Sequence, residues 1–286
     1  KLRFQNDFLW MDVFAGRPVS AQDGRFNNAN HAYWFSGLYA STRRLASWQE
    51  TDLFILANNV SRTGARDVYS VGTRWKSIPG KLGGWDYTFE GSGQFGRILE
   101  QGKRRDHQGY AVNVGAGHTW QDSFGAPRLG LGYDFGTGDS DPSDDKNGTF
   151  QTIFGTNHSY YGNMDLMGLR NMHIARLEAS LKPSRKVTVS TEWLVFWLAE
   201  RADFLYPESG PGRNQNGYGR NPLFGSHVGH EIDLLADWHP TPWGKLRVGY
   251  GHFFVGGYIR RSVDSVPANG GAAGADWCYM QYGINF

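Results

Sequence analysis

The chain has 286 residues and a formal net charge of +2, from 29 basic and 27 acidic residues dispersed along its length, so no block of one sign marks a nucleic-acid-binding surface. Aromatic residues make up 15%, there are 39 glycines, and the single cysteine, Cys278, excludes an internal disulfide framework and a cysteine-based zinc site. The longest apolar run, residues 194–199 with Trp193 directly before them, is far shorter than the ~20 residues of a membrane helix, which excludes a helical membrane protein but not a membrane barrel.

Alternation of apolar and polar residues recurs along the chain and predicts roughly twelve strands. In the stretch 84–97, for example, Trp85, Tyr87 and Phe89 share one face, while Asp86 and Glu90 share the other. In chain order the predicted strands are 2–16, 32–42, 48–60, 67–77, 84–97, 107–121, 126–136, 171–182, 186–200, 229–239, 244–256 and 276–286. Each predicted strand therefore has one apolar face and one polar face.

The links between these strands alternate in length. The short links are 43–47, 78–83, 122–125, 183–185 and 239–244. The long links, rich in Gly and Asn, are 17–31, 98–106, 137–170, 201–228 and 257–275, and only the link 61–66 is shorter than this rule requires. Short turns at one end and long loops at the other are typical of an up-and-down outer-membrane barrel, with the turns in the periplasm.

The sequence therefore predicts an all-β fold, a transmembrane antiparallel up-and-down β-barrel with about twelve strands in this chain, as one domain over 1–286. It predicts an integral protein of the cell outer membrane. A last strand that alternates and ends on Phe286 fits this prediction, since in a closed barrel that strand has a partner on both sides. The alternative is a soluble sandwich or propeller with the apolar face turned inward.

Several stretches resemble the alginate export family of outer-membrane porins. They are VFAGRPV (13–19), GLYA (37–40), GGWDYTFEGSGQFG (83–96) and, most specifically, the segment 132–206. The resemblance implies a barrel of about eighteen strands with an electropositive pore that passes an acidic polysaccharide. This chain is shorter and begins in mid-pattern, so it looks like the C-terminal two-thirds of such a barrel, although an even number of twelve strands could also close by itself.

The candidate pore-lining residues lie on the polar faces of the predicted strands. The cations are Arg74, Lys76, Arg128, Arg176 and Arg247, and the acids are Glu178, Glu192 and Asp233. Arginine suits a uronate chain because its planar fork binds a carboxylate bidentately, and the resemblance similarly implies a pore lined with arginines. For any single residue, the alternative of an ordinary ion pair between strands is the favoured interpretation. Because acids nearly balance bases, a general porin also remains open.

Two polar loops are candidates for other sites. Asp139, Asp141, Asp144 and Asp145 are weak metal candidates, since their spacing does not match an EF-hand and a solvated, turn-rich acidic loop is the favoured interpretation. Their loop, 137–170, is the longest and could fold inward as a gate. A second metal hypothesis concerns His227 and His230, three residues apart, and His158 lies in the long loop.

No sequence motif places a nucleophile beside a base, so the chain is not predicted to be an enzyme and no cofactor is expected. The predicted function is passive transport of an anionic solute such as a uronate polysaccharide; the alternatives are a general porin and a non-conducting scaffold barrel. Expected partners are the outer-membrane lipid bilayer, the anionic saccharide and a periplasmic export partner. The tryptophans predicted to anchor the lipid face are Trp10, Trp75, Trp85, Trp193, Trp197 and Trp238, whereas Trp277 and Tyr279 lie on the opposite face.

Overall fold

The computed structural model describes residues 1–20, 24, 26–62, 64–100, 102–154, 161–208 and 210–285. Strands dominate the fold, as the high content of aromatic residues favours. They are β1 Leu2–Gln5, β2 Trp10–Gly16, β3 Val19–Ser20, β4 Asn28–Ala29, β5 Tyr33–Ala46, β6 Gln49–Val60, β7 Arg66–Ser77, β8 Trp85–Glu100, β9 Lys103–Thr119, β10 Arg128–Gly136, β11 Lys146–Asn147, β12 Met172–Ser184, β13 Val187–Leu198, β14 His227–Thr241, β15 Gly244–Val255 and β16 Ala275–Ile284.

Helical structure is minor. It comprises α1, Gly257–Asp264, and two 3-10 turns, Pro222–Phe224 and Pro267–Asn269. No helix among the described residues is long and apolar enough to cross a membrane.

One antiparallel sheet contains fourteen strands and follows the chain order β1-β2-β5-β6-β7-β8-β9-β10-β12-β13-β14-β15-β16. The two-residue strand β11 joins it by pairing in parallel with β9, and β3 pairs with β4 as a separate hairpin. Within the described ranges, β1 pairs only with β2 and β16 only with β15, so the sheet is open between them. This is the up-and-down meander predicted from the alternation.

All twelve predicted runs are strands, with one subdivision. The first run is split into β1 and β2 by a turn in which the Asn6 side chain accepts hydrogen bonds from the backbone N–H groups of Phe8 and Leu9, both at 2.9 Å. The prediction of a long link at 98–106 is wrong. Strands β8 and β9 continue to Glu100 and Lys103, and only residues 101 and 102 connect them.

The two faces of the sheet differ as the alternation requires. Large apolar side chains are exposed on what we call the outward face, which in a membrane barrel contacts lipid. They include Tyr69, Val71, Trp75, Trp85, Leu129, Leu131, Tyr133, Leu177, Trp193, Ile232, Leu234, Trp238, Val248, Tyr250, Phe254, Met280 and Tyr282. The opposite, inner face has the charged side chains and is covered in part by the long loops.

The loops form a hydrophobic core against the inner face of β12–β15. Buried side chains of the strands, such as Ile174, Phe196 and Phe253, pack with Met167 and Leu205 from the loops and with residues of α1. Because this core fills the inner side of β12–β15 at their long-loop ends, the acids near those ends, Glu231 and Asp233, lie beneath folded loop structure.

Candidate functional site

The predicted cation pair on β7 forms ion pairs with acids of β6. Arg74 Nη2 lies 2.6 Å from Asp52 Oδ2, and the Tyr39 hydroxyl donates to the same oxygen at 2.6 Å. Lys76 Nζ lies 2.7 Å from Glu50 Oε1. Both cations face inward as predicted, and each is already in an ion pair.

Arg128 and Arg176 share one acid in the middle of the inner face. Arg128 binds Asp86 bidentately, at 2.8 and 2.7 Å, and lies 2.9 Å from Glu178. Arg176 lies 3.0 Å from Asp134 and 3.3 Å from the other oxygen of Glu178. The structure brings these predicted site residues together, and it gives them the ion-pair geometry of the alternative interpretation.

Three carboxylates form a row across neighbouring strands. Glu178 is opposite Glu192, and Glu192 is opposite Asp233 in the strand register. Like charges in directly opposed positions repel one another. The row of carboxylates therefore repels an anionic solute at this part of the wall. The loops cover one end of the row, since Asp233 accepts hydrogen bonds from the backbone and side-chain N–H groups of Asn163 at 2.9 and 3.0 Å.

The short-turn end of the inner face has the opposite balance, because there each of three carboxylates is shared by two cations. Arg247 binds Asp237 bidentately at 2.6 and 2.7 Å, and Lys245 lies 2.9 Å from the same group. The other two sets are Glu50 with Arg43 and Lys76, and Asp12 with Lys1 and Arg3. Each set carries one net positive charge.

The long loop between β10 and β12 crosses the inner face. Near its start Gln151 exchanges two hydrogen bonds with Gln94 of β8, at 2.7 and 2.8 Å. Further along, the Met164 backbone N–H donates to Glu231 of β14 at 3.0 Å. The predicted inward folding is therefore observed, whereas gating stays a prediction. Residues 155–160, which include His158, lie outside the described residues.

The four loop aspartates do not converge. Asp141 and Asp144 accept hydrogen bonds from nearby backbone N–H groups, and Asp145 forms an ion pair with Lys103. Asp139 is buried, and its backbone N–H donates to Asp203 Oδ2 at 3.0 Å. Burial, together with the charge of Asp203, raises the pKa of Asp139 to about 6. In the part of the chain that the structure describes, no group of three His, Cys, Asp or Glu residues could hold a metal.

Sequence reasoning missed an arginine set at the long-loop end, which we call the mouth cluster: Arg66, Arg105, Arg170 and Arg220. Arg220 lies 2.9 Å and Arg105 3.7 Å from the two oxygens of Glu100. The charges of Arg66, Glu100 and Asp203 all act on Arg170, whose pKa is lowered by burial. Two cations of the cluster, Arg105 and Arg220, therefore lie at Glu100, while Arg66 and Arg170 act on each other through their charges.

The mouth cluster also has unused hydrogen-bond donors. The Nε atoms of all four arginines are buried and have no hydrogen-bond partner among the described residues. Within the same residues, Arg66 and Arg170 have no carboxylate at salt-bridge distance. Arg170 is instead 4.0 Å from the ring centroid of Tyr206, and Arg66 is 5.9 Å from that of Tyr33. No pattern could reveal this set, since two members lie in aperiodic loops.

The assignment of Trp10 to the lipid-facing anchors is wrong. Trp10 is opposite Ser41 on the inner side, and its ring stacks on Tyr39 with centroids 5.6 Å apart. The turn between β1 and β2 resets the alternation that the sequence suggests for 2–16, because the register with β5 then decides which residues face inward. Trp75, Trp85, Trp193 and Trp238 are exposed on the outward face, as predicted.

A sequence model of alginate export proteins matches residues 2–272. The chain belongs to the alginate export family. Two solved structures from Pseudomonas aeruginosa share its fold. OccK11 (OpdR) is similar with a TM-score of 0.53 and 11% identity over 88% of this chain, and the outer membrane protein OprD with a TM-score of 0.52 and 12% identity over 90%.

The chain spans 63% of OccK11 and 62% of OprD. A search of curated proteins found no match. Membership of the alginate export family and the outer-membrane neighbours place the chain in the outer membrane as an integral protein of the β-barrel class.

Proposed function

We propose that this sheet is the wall of an outer-membrane channel for passive transport of an anionic solute, an acidic saccharide chain of the uronate type. Family membership supports a channel. The observation that carries the anionic solute is the mouth cluster, in which Arg66 and Arg170 have no carboxylate at salt-bridge distance among the described residues. Guanidinium groups bind carboxylates through two parallel hydrogen bonds, which a uronate residue can satisfy.

The charge pattern along the inner face supports the same proposal. Positive sets lie at the short-turn end, and the mouth cluster lies at the other end. The carboxylate row lies between them, on the wall that the loops cover. An anionic chain would therefore pass along the inner face of β5–β8 and meet cations at both ends, where a low-dielectric wall strengthens their attraction.

The pore-lining residues predicted from the sequence stay part of this proposal in a changed role. Arg74, Lys76, Arg128, Arg176 and Arg247 would shape the field as members of ion pairs with their acids. Direct contact with the solute falls to Arg66 and Arg170. The short turns remain the surface on which a periplasmic export partner would dock.

The test is conductance of the purified protein in planar bilayers, titrated with oligouronate and, as a control, with a neutral oligosaccharide of equal length. We expect block by the oligouronate only, and Arg66→Ala/Arg170→Ala should weaken it at least about tenfold, since each charged hydrogen bond contributes about 1.5–3 kcal/mol. The matched control Arg97→Ala/Arg104→Ala removes the same two charges from the outward face and should change block less than about twofold.

Two outcomes would contradict the proposal. Conductance that is indifferent to oligouronate would indicate a general porin, and absence of conductance in the folded protein would indicate a scaffold. Equal block in the wild type and in Arg66→Ala/Arg170→Ala would remove the mouth cluster from the solute path.

A further inference from the structure

A groove of about 420 Å³ lies on the outward face at the long-loop end. It exists because the β8–β9 hairpin rises past the neighbouring strands: β7 begins at Arg66, which is opposite Ile98, whereas the hairpin continues to Glu100 and Lys103. The overhang faces the start of β5. The groove is lined by His31, Trp34, Asp67, Arg97 and Arg104, among others, and it is bordered by Arg66 of the mouth cluster.

The cations of this groove are weakly held. Arg97 Nε lies 3.3 Å from Asp106, and Arg104 Nη2 lies 3.0 Å from Asp67, with the side chains of both arginines more than 60% exposed. Exposed pairs of this kind contribute about 0–1 kcal/mol to stability. Both guanidinium groups can therefore exchange their carboxylate for a stronger anion with little loss.

A third cation and an aromatic ring complete the groove. The Arg17 guanidinium lies 4.5 Å from the ring centroid of Trp34 and contacts His31 Nδ1. With Arg66, which also lines the groove, four arginines then lie in or beside it against two carboxylates, Asp67 and Asp106, so the groove has a net positive charge. Trp34 is 46% exposed and offers a ring face beside these cations.

The position of the groove relative to the bilayer follows from the strands. Phe95 and Tyr69 stack on the outward face with centroids 5.6 Å apart, and Tyr110 is exposed beside them. Arg97 is two residues beyond Phe95, about 7 Å along the strand. Aromatic girdles mark the level where acyl chains meet headgroups, and the long loops mark the outer side. The groove therefore lies at headgroup level in the outer leaflet.

We propose that this groove binds the phosphorylated sugar headgroup of an outer-leaflet glycolipid of the lipid A class. Arg97 and Arg104 bind a phosphate through their planar forks, because phosphate accepts the same bidentate hydrogen bonds as a carboxylate and carries more charge. Trp34 packs against a sugar ring, and the acyl chains descend over Phe95 and Tyr69. The inference rests on the outer-membrane location and is independent of the solute.

The experiment measures binding of purified bisphosphorylated lipid A, and of the same lipid after removal of its phosphates, to the protein in detergent. We expect the wild type to prefer the phosphorylated lipid at least about tenfold, and Arg97→Ala/Arg104→Ala to lose that preference. Arg97→Lys/Arg104→Lys keeps the charge but not the fork, and should retain part of the preference. Folding of each variant is checked by its heat-modifiable migration in gels.

The matched control is Arg44→Ala/Arg185→Ala, which removes two cations at the short-turn end. It should bind both lipids as the wild type does, and conductance should be unchanged in every variant. The proposal is overturned if the wild type binds the two lipids equally, or if the control loses as much affinity as Arg97→Ala/Arg104→Ala.

Discussion

Asn171 joins two of the loops that cover the inner face, and its replacement by alanine should release one of them. The residue immediately precedes β12 and is fully buried. Its side-chain N–H groups donate to the backbone carbonyls of Glu200 and Phe204 at 3.0 and 2.9 Å, and its Oδ1 accepts from the Glu200 N–H at 2.6 Å. Truncation to alanine removes all three bonds.

The expected cost can be worked out from these contacts. Three hydrogen bonds at about 1 kcal/mol each give about 3 kcal/mol for opening of the segment 199–226. Asn171 also has a left-handed backbone, with φ 55, in which alanine adds a strain of about 1 kcal/mol. Asn216 has φ 57 and is exposed, so Asn216→Ala reproduces the strain without the loss of buried hydrogen bonds.

The assay is tryptic cleavage after Arg201, an exposed residue in the same segment. When opening is fast relative to cleavage, the cleavage rate follows the population of the open form. Asn171→Ala should be cleaved about 150-fold faster than Asn216→Ala, which corresponds to the 3 kcal/mol difference. If the two variants are cleaved at rates within about threefold of each other, Asn171 does not hold the loops together.

Three further predictions follow from single residues. Burial raises the pKa of Asp139 to about 6, so the fold favours its protonated form and the protein loses stability as the pH rises from about 4 to 6. Tryptic cleavage after Arg201, corrected for trypsin activity, should therefore be slower at pH 5 than at pH 7.5. The Asp139→Asn variant should abolish this difference. Gly96 has φ +139, and a Cβ there would lie 1.9 Å from a backbone oxygen. The Gly96→Ala variant should therefore lose at least about 2 kcal/mol of the free energy of unfolding, measured with urea. At Gly93 the nearest atom to an added Cβ is 3.7 Å away, so Gly93→Ala should lose less than half as much. Leu131→Lys puts a charge on the lipid-facing side and should destabilise the bilayer-inserted protein by about 2–4 kcal/mol. Ser92→Lys puts the same charge on the inner face and should have a small effect. Equal losses of stability in the two variants would mean that the faces are assigned wrongly.

Ion pairing of the arginines on the inner face reduces their capacity to bind an anionic solute directly. An isolated Arg176 would be a direct ligand for an anion, but beside Asp134 and Glu178 its charge is already balanced. Removal of Arg176 would leave the buried Asp134 without its cation, although Glu178 would keep Arg128, and an uncompensated buried charge costs more than loss of a solute contact. Block measurements on Arg176 variants therefore mix folding with recognition, and the arginines of the mouth cluster that lack a carboxylate are the sharper probes.

The sequence by itself determined the class of fold and the division of each strand into two faces. Alternation has a period of two, so residues such as Trp85 and Leu131 are assigned to the lipid side by counting alone. The strand order followed as well, because successive antiparallel strands joined by short turns must be neighbours. The segments that carry the family resemblance were also visible without coordinates.

Only the tertiary structure decided where the unpaired cations lie and which strands project. Loop residues such as Arg170 have no period, so their position depends on packing against distant residues such as Tyr206. The same holds for the face of Trp10, which the register with β5 fixes after a turn has broken the alternation. Ion pairs between strands, like that of Arg128 with Asp86, depend on which residues become opposite, and sequence spacing does not specify that over a separation of 42 residues.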